Sequence, residues 1–267
     1  KTKIPSKLDN SNCEDTKLKR GLLLIDRGSR EKEAKQELEV ICKKIMEKGN
    51  YEFSNYCFLE VIPPYIEEGI NQSLTHNIDE LTIVPYFLYP GKKIKAAVNE
   101  SIGFQEKTDV KLRITKPMSM HKTMIDLVDN RITSALSENS VNLPKNAVDV
   151  LVIGHGSKDP NAKRSMEYVV DGIKPTYRNV SFCFLEIEEP NIKQGIIKCK
   201  NDSPKVLVVV FYFLHEGAHV KRDIYEDLNP ALEEAKLQKV LITKHIGTDD
   251  KMVDLIIERA KEVEVAN

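Results

Sequence analysis

The stretch "LVIGHGSK" (Leu151–Lys158) joins a short apolar run to a turn that holds a histidine between two glycines. A related stretch, "LLLIDRGSR" (Leu22–Arg30), occurs earlier, and Gly156-Ser157 corresponds to Gly28-Ser29 at an offset of 156 − 28 = 128 residues. Apolar runs of this length that end at glycine indicate buried strands. Their recurrence predicts that one folding unit is written twice in the chain.

The two copies stay in register well beyond this stretch. "YCFLE" (Tyr56–Glu60) matches "FCFLE" (Phe182–Glu186) at an offset of 186 − 60 = 126 residues, and "IVPYFL" (Ile83–Leu88) matches "VVFYFL" (Val209–Leu214) at the same offset. Insertions of a couple of residues explain the difference between the two offsets. We therefore predict an internal duplication.

The repeat divides the chain into a flexible polar tail at residues 1–20, a first unit at 21–143 and a second unit at 144–267. In both units, short runs rich in Val, Ile, Leu and Phe alternate with helical patterns such as Glu31–Lys48. This alternation predicts an α/β fold of two similar flavodoxin-like domains, each a parallel four-stranded sheet flanked by helices. The predicted strands are Gly21–Asp26, Tyr56–Val61, Leu81–Leu88, Lys111–Thr115, Val148–Gly154, Ser181–Ile187, Lys205–Leu214 and Lys239–Thr243.

The composition excludes several classes of protein. The 267 residues are 41% hydrophobic and 30% charged with a formal net charge of −1, so we expect neither nucleic-acid nor membrane binding. No apolar run approaches the roughly 20 residues of a membrane span, and the polar tail does not read as a secretory signal. Five scattered cysteines without C-x-x-C spacing argue against a disulfide framework. We expect a cytoplasmic monomer, with the two units as an intramolecular pseudo-dimer and no organic cofactor.

Polar residues follow the predicted strands of the second unit at their carboxyl ends. They are His155 after the first strand, Glu186 at the end of the second, and His215 and His219 after the third. Ligands of open parallel sheets bind at this edge, so we expect these side chains to converge. Neutral imidazoles and a carboxylate predict a nitrogen-rich metal site with open coordination positions.

Each of these residues also has a plainer interpretation. His155 either makes a hydrogen bond in a tight turn or is a neutral ligand, because a helix that starts at Asp159-Pro160 would disfavour its cationic form. Glu186 is either a surface acid or a partly buried base with a raised pKa. We expect His219 to open the helix after the third strand and to face His155, whereas His215 ends that strand and is the weaker candidate.

At these positions the chain resembles the class II chelatases of tetrapyrrole biosynthesis, which include the sirohydrochlorin cobaltochelatases and ferrochelatases of the CbiX and SirB type. The family has a "GHGS" turn, here Gly154–Ser157, and an "FLE" strand, here Phe184–Glu186. A "G-x-H-V-x-x-D-I" turn follows, here Gly217–Ile224. The resemblance covers nearly the whole chain, because long members of the family contain two such units.

The resemblance implies a function and a division of roles. The family inserts a divalent metal ion into sirohydrochlorin, a carboxylate-rich tetrapyrrole, in the cleft between the units. It implies His155 and His219 as metal ligands, and Glu186 as a further ligand and an acceptor of pyrrole protons. His215 lies outside the family pattern and is kept as an optional ligand. We expect Co²⁺ first and Fe²⁺ or Ni²⁺ as alternatives, because imidazoles bind all three ions.

The first unit has different residues at the ligand positions. Arg27 stands in the place of His155 and Lys93 in the place of His219, whereas a carboxylate is kept at Glu60. Two cations would repel a metal ion and attract carboxylates, so we expect one metal site, in the second unit, and a degenerate site in the first. The residues expected to bind the substrate are Ser157, Arg27, Lys92, Lys93, Lys221 and Arg222.

Three other functions fit parts of the pattern. A metal or tetrapyrrole carrier on this fold would bind without catalysing insertion, and an insertion assay separates the two. A hydrolase with Ser157 as nucleophile would need a neighbouring base and a G-x-S-x-G elbow, but Ser157 is followed by Lys158-Asp159. A nucleotide-binding module would need a phosphate-binding glycine motif, which the sequence lacks.

Overall fold

The computed structural model describes residues 17–265, so most of the predicted tail lies outside the described residues. Among the helices of residues 17–265, none has the length and apolar composition of a membrane-spanning segment. In the first unit the elements are β1 (Arg20–Asp26), α1 (Lys32–Lys48), β2 (Phe53–Phe58), α2 (Ile66–Leu74), β3 (Glu80–Pro85), α3 (Lys92–Phe104), β4 (Lys111–Ile114) and α4 (Lys122–Glu138). In the second unit they are β5 (Asp149–Gly154), α5 (Ala162–Ile173), β6 (Asn179–Phe184), α6 (Ile192–Asn201), β7 (Leu207–Phe211), α7 (Ala218–Ala235), β8 (Val240–Ile242) and α8 (Asp250–Val263).

Both sheets are wholly parallel and have the same strand order. The orders are β2-β1-β3-β4 in the first unit and β6-β5-β7-β8 in the second. Every residue of β1, β3, β5 and β7 is buried. Burial on both faces explains why the strands are continuous apolar runs without alternation. The predicted α/β fold of two duplicated parallel sheets is confirmed.

The third strand of each unit is shorter than its apolar run. β3 ends at Pro85 instead of position 88, and β7 ends at Phe211 instead of position 214. The next residues are buried all the same, because Tyr86 and Tyr212 belong to the main apolar core. Their rings pack across the boundary between the units, Tyr86 near His215 and Tyr212 near Tyr89. The apolar run therefore continues into the contact between the units.

The last helix of each unit packs on the other unit. Helix α4 lies against α5, β7 and β8, whereas α8 lies against α1 and β3. An arginine anchors each helix: Arg131 of α4 donates to two backbone carbonyls after β8, and Arg259 of α8 donates to two after β4. One apolar core consequently contains residues of both units.

The described cysteines belong to the core. Cys42, Cys57, Cys183 and Cys199 are free thiols and are buried. Burial raises the pKa of Cys42 and of Cys199 to about 11, which keeps both thiols protonated at neutral pH. Cys57 and Cys183 hold equivalent positions of the repeat, and each packs in an apolar core of its own unit.

Candidate metal site between the two units

The carboxyl ends of the first strands, β1 and β5, meet where the two units touch. Arg27 follows β1 and His155 follows β5, and Arg27 Nη1 lies 3.5 Å from His155 Nε2. The two residues hold equivalent positions of the repeat, since 155 − 27 = 128. A pseudo-twofold axis therefore passes between them, and the candidate site faces both sheets.

In each unit, one glycine lets the end of the first strand approach the end of the second strand closely. Gly28 has a φ of +103° and Gly156 a φ of +100°, a conformation that favours glycine. A Cβ on Gly156 would overlap the carbonyl oxygen of Glu186, and a Cβ on Gly28 would overlap that of Glu60. This close approach places Glu186 Oε1 3.0 Å from His155 Nε2. The glycine of the turn is thus required for the histidine–glutamate contact.

The His155 imidazole is held in its neutral form. Burial lowers its pKa, the Arg27 guanidinium lowers it further, and the Glu186 carboxylate opposes both effects. The lowered pKa agrees with the predicted neutral imidazole, and its causes are burial and Arg27. Helix α5 begins at Ala162, not at Asp159-Pro160, where Asp159 closes a separate turn ahead of the helix.

Glu186 is a surface residue rather than a partly buried one, because 57% of its side chain is exposed. The backbone beside it is strained. Ile187 has a φ of +70°, and a hydrogen bond runs from the Glu188 N–H to the Glu186 carbonyl at 2.8 Å. Val61 repeats this conformation after Glu60, with a φ of +80°. β-Branched residues rarely adopt positive φ, so both carboxylates sit beside costly turns.

His219 is the second residue of α7 and is exposed, which confirms that it opens this helix. Its backbone N–H donates to Glu31 Oε1 of the first unit at 2.7 Å. Its loop also reaches the neighbouring strand end, because the ring centre of Phe213 lies 6.4 Å from that of His155. Within residues 17–265, no three His, Cys, Asp or Glu side chains gather closely enough to hold a metal ion. The structure joins His155 to Glu186 and places His219 in the first turn of α7, which follows the adjacent strand β7.

The structure places His215 in contacts that were not considered from the sequence. It lies in the loop after β7, with Nε2 2.8 Å from Asp26 Oδ1 and Nδ1 3.5 Å from Glu37 Oε2. Burial opposes its charge, but Asp26 and Glu37 outweigh burial and raise the pKa of His215 to about 10. A protonated imidazole has no lone pair for a metal ion. His215 instead forms ion pairs that join the units.

The first unit holds a cluster of opposite charges at the equivalent place. Arg27 Nε lies 3.7 Å from Glu60 Oε1, and the Lys93 ammonium forms an ion pair with the same oxygen. The hydrogen bond from Lys93, aided by Arg27, holds the pKa of Glu60 below its usual range. Arg27 and Lys93 remain about half exposed, and the neighbouring Lys92 is exposed. These cations therefore keep surface available for an anion.

Two of the other predicted substrate-binding residues, Ser157 and Lys221, make contacts of their own. Ser157 is engaged in its own turn, where its hydroxyl oxygen accepts a hydrogen bond from the Asp159 N–H at 3.1 Å. Lys221 Nζ lies 3.7 Å from Glu216 Oε1 and lines a cavity of about 680 Å³ between α4 and α7. Arg222 is exposed on the same helix. None of the candidate metal ligands lines this cavity.

The sequence interpretation missed a contact that differs between the two copies. Tyr89 corresponds to His215 (215 − 89 = 126) and Gly154 corresponds to Asp26 (154 − 26 = 128). Tyr89 lies against Gly154, where an added Cβ would come within 2.7 Å of the tyrosine oxygen. The chain thus contains a neutral and an ionic version of one cross-unit contact. The aligned repeats contained the signal, because both partners change together.

Known proteins match the chain along most of its length. The sequence pattern of the CbiX family matches residues 21–135 and again residues 149–263. A sirohydrochlorin ferrochelatase of Priestia megaterium is 25% identical over 244 residues, which cover 90% of this chain and 89% of that protein. A sirohydrochlorin cobaltochelatase of the same organism is 26% identical over 219 residues, which cover 77% of this chain and 68% of that protein.

A solved structure has the same architecture. SirB from Bacillus subtilis with Fe³⁺ superimposes with a TM-score of 0.77 at 21% identity, covering 92% of this chain and 95% of that one. At this identity the likeness shows the fold alone. The family pattern reaches further, because it recurs in both units with the same spacing. The chain therefore belongs to the CbiX family.

Proposed function

We propose that the chain is a sirohydrochlorin chelatase, which inserts a divalent metal ion into the tetrapyrrole in the cleft between its two units. The observation that carries the proposal is the contact of a neutral His155 with the Glu186 carboxylate, at the positions of two family motifs. The matches to proteins named sirohydrochlorin ferrochelatase and cobaltochelatase support the substrate class.

The metal ion is a substrate in this reaction, so its site must bind it and then release it. Imidazole and carboxylate ligands hold divalent transition-metal ions without the retention that thiolates cause. His155 and His219 follow the adjacent strands β5 and β7, and Glu186 already touches His155. In this contact Nε2 of His155 carries the hydrogen and donates it to the carboxylate, so a metal ion at Nε2 requires the neutral ring to take its other tautomer, with the hydrogen on Nδ1. Rotation of the exposed Glu186 side chain would then let the carboxylate share the ion. We assign His155 and His219 as ligands on this basis.

Insertion also needs a base, because two pyrrole N–H protons leave the macrocycle as the divalent ion enters it. The charge balances, since one doubly charged ion replaces two protons. We assign the proton acceptor to Glu186, whose side chain is 57% exposed and can pass protons to water.

The first unit supplies the binding surface for the substrate's carboxylates. Arg27 and Lys93 share Glu60, and an incoming carboxylate would take its place. Arginine binds a carboxylate through two parallel hydrogen bonds, which makes Arg27 the stronger anchor. We thus assign the degenerate site to the first unit (21–143) and the metal site to the second (144–267). Further proposed contacts of the substrate are Lys92, Ser157, Lys221 and Arg222.

Removal of either histidine tests the proposal. We expect His155→Ala and His219→Ala to slow Co²⁺ insertion on the order of 100-fold, because each removes a nitrogen ligand from the metal. The absorbance change of sirohydrochlorin measures the rate, with Fe²⁺ and Ni²⁺ assayed in parallel because imidazoles accept all three ions. The matched control is His76→Ala, which removes an exposed histidine of the first unit and should keep the wild-type rate.

Two results would contradict these assignments. Wild-type rates in both histidine variants would show that neither His155 nor His219 is a metal ligand. Tight binding of metal and tetrapyrrole by the wild-type protein without any turnover would identify a carrier instead of an enzyme.

A further inference from the structure

The first turn of α7 takes its cap from the other unit. Its N-cap residue is Gly217, which has no side chain to accept the free N–H groups of the turn. The Glu31 carboxylate, which precedes α1 of the first unit, takes that place, and its Oε1 accepts the hydrogen bond from the His219 N–H at 2.7 Å. This N–H belongs to the second helical residue, the position that an N-cap side chain ordinarily serves.

Gly217 makes room for this carboxylate. An added Cβ at Gly217 would overlap Glu31 Oε2 and Cδ. The φ of Gly217 is −77°, which any residue adopts, so the glycine is needed for space and not for its conformation. The carboxylate also lies at the positive end of the α7 dipole, where a negative charge is favourable. Charge, hydrogen bond and shape thus all fit Glu31 to the start of this helix.

The equivalent helix of the first unit is not capped in this way. The N-cap of α3 is Gly91, and the residue that corresponds to Glu31 is Asp159, since 159 − 31 = 128. An added Cβ on Gly91 would still lie 3.6 Å from Asp159 Oδ2, and the other oxygen accepts from the Asn161 N–H at 2.8 Å. The Asp159 side chain is one methylene shorter than that of a glutamate, and its hydrogen bond to Asn161 lies within the second unit. Of the two helices, the one capped from across the boundary carries the candidate metal ligand.

We propose that Glu31 is a positioning residue for metal binding, which fixes the first turn of α7 from the other unit and so holds His219 toward His155. This inference rests on the proposed role of His219 as a metal ligand. An uncapped first turn frays readily, and the His219 backbone would then occupy several positions. The hydrogen bond also ties the unit that binds substrate to the unit that binds metal.

Three substitutions separate the acceptor, the length and the charge of the cap. Glu31→Ala removes the acceptor, Glu31→Asp shortens it as in the first unit, and Glu31→Gln keeps an oxygen without the charge. We expect Glu31→Ala and Glu31→Asp to weaken Co²⁺ binding about tenfold, the scale on which metal sites lose affinity with a supporting partner. Glu31→Gln should stay within about threefold of the wild type. Calorimetric titration of the full chain with CoCl₂ measures this without tetrapyrrole.

Two further readouts distinguish positioning from a general loss of stability. The KM for Co²⁺ in insertion should rise by the same factor in Glu31→Ala, while the KM for sirohydrochlorin stays at the wild-type value. Amide hydrogen exchange at His219 should become faster in Glu31→Ala and Glu31→Asp. Glu47→Ala, an exposed carboxylate farther along α1, is the matched control and should behave like the wild type in each assay.

Unchanged Co²⁺ affinity and unchanged exchange at His219 in Glu31→Ala, beside a defective His219→Ala, would overturn this inference alone. A loss in Glu31→Ala that raises both KM values and follows the unfolding temperature would also overturn it. Wild-type Co²⁺ binding in His219→Ala would overturn the ligand assignment, and this inference with it.

Discussion

Asp26 and His215 form an ion pair between the two units. At the equivalent positions of the repeat, Gly154 and Tyr89 form a contact without charges. The side chains of Asp26 and His215 are only 5% and 15% exposed, so both charges are largely removed from water. Replacement of a buried ion pair by a packed neutral pair is often nearly neutral for stability, whereas loss of one partner is costly. The two positions therefore have to change together, as they do between the two copies.

We expect the substitutions Asp26→Gly and His215→Tyr to be strongly coupled. Each alone should lower the free energy of unfolding by about 3 kcal/mol, because it leaves a buried group without its partner. The double variant copies the Gly154–Tyr89 contact and should recover more than half of the summed loss. Recovery is incomplete because Asp26 Oδ2 also accepts a hydrogen bond from the Gly28 N–H at 3.2 Å. Urea unfolding at pH 7 measures the cycle, and additive losses would contradict the coupling.

The pH dependence of the same variants provides a second check. Asp26 and Glu37 raise the pKa of His215 to about 10, from about 6.5 in an unfolded chain. The stability that its charge contributes is therefore complete below about pH 6.5 and is lost as the pH rises through about 10. Between pH 7 and 10, the free energy of unfolding should fall more steeply in the wild type than in the double variant. Equal slopes would show that His215 is not charged in the folded protein.

At the scale of secondary-structure elements, helices α4 and α8 each pack on the other unit, an arrangement called here the exchange of α4 and α8. Equivalent arginines hold the two helices in place. Arg259 of α8 donates from Nε to the Pro117 carbonyl and from Nη2 to the Ser119 carbonyl, each at 3.0 Å. Arg131 of α4 does the same after β8, toward the carbonyls of His245 and Ile246. A guanidinium can serve two carbonyls at once because its donors form a rigid fork. Each helix is thereby fixed to the loop that precedes its counterpart.

We expect Arg259→Ala to lower the free energy of unfolding by about 3 kcal/mol, because the Arg259 side chain is 7% exposed and its loss leaves carbonyl acceptors unpaired. Arg259→Lys should recover less than half, since an ammonium cannot reproduce the fork. Arg164→Ala, at an exposed arginine of α5, is the control and should change the value by less than about 0.5 kcal/mol. Chemical unfolding of all three variants tests this, and full recovery by lysine would contradict the role of the fork.

At the scale of the whole molecule, the exchange of α4 and α8 makes the two units depend on each other. The main apolar core contains strands and helices of both units. Neither sheet is covered by helices of its own unit alone, because α4 covers part of the second sheet and α8 part of the first. Loss of structure in one unit therefore exposes apolar surface in the other.

We expect the protein to unfold in one cooperative transition. Far-ultraviolet circular dichroism and tyrosine fluorescence should give the same midpoint, and the calorimetric and van't Hoff enthalpies should agree. The 9 tyrosines lie in both units and the chain has no tryptophan, so tyrosine is the natural probe. Two separated transitions would show that one unit stays folded without the helix that it receives from the other.

Much of the fold could be predicted because the apolar composition of each strand indicates that the strand is buried. The runs at Leu22–Ile25 and Leu151–Ile153 are apolar since both sheet faces are covered. The exchange of α4 and α8 could not be predicted, because an amphipathic stripe shows that a helix covers something but not which sheet it covers. For the same reason, the apolar residues after β3 and β7 read as longer strands, although Tyr86 and Tyr212 among them pack between the units.

The candidate site was predictable in part. The turn glycines and the strand-end position of His155 are local features, so the sequence contains them. The capping role of Glu31 was not predictable, because Glu31 precedes α1 in the sequence but caps α7, a helix far along the chain. The ion pairs of His215 could not be predicted for a related reason, because its partners, Asp26 and Glu37, are more than a hundred residues away in the chain.

The contact between Arg27 and His155 shows what the fusion of two units into one chain makes possible. In an assembly of two identical chains, a residue on the twofold axis faces its own copy, and an arginine there would meet an arginine. Fusion encodes the two sides of the axis separately, so a cation can stand 3.5 Å from a neutral ring. Symmetry would forbid this pairing in a homodimer. A single polypeptide can therefore place a cation on one side of the axis and a neutral imidazole on the other, as the proposed binding of an anion opposite a metal ion requires.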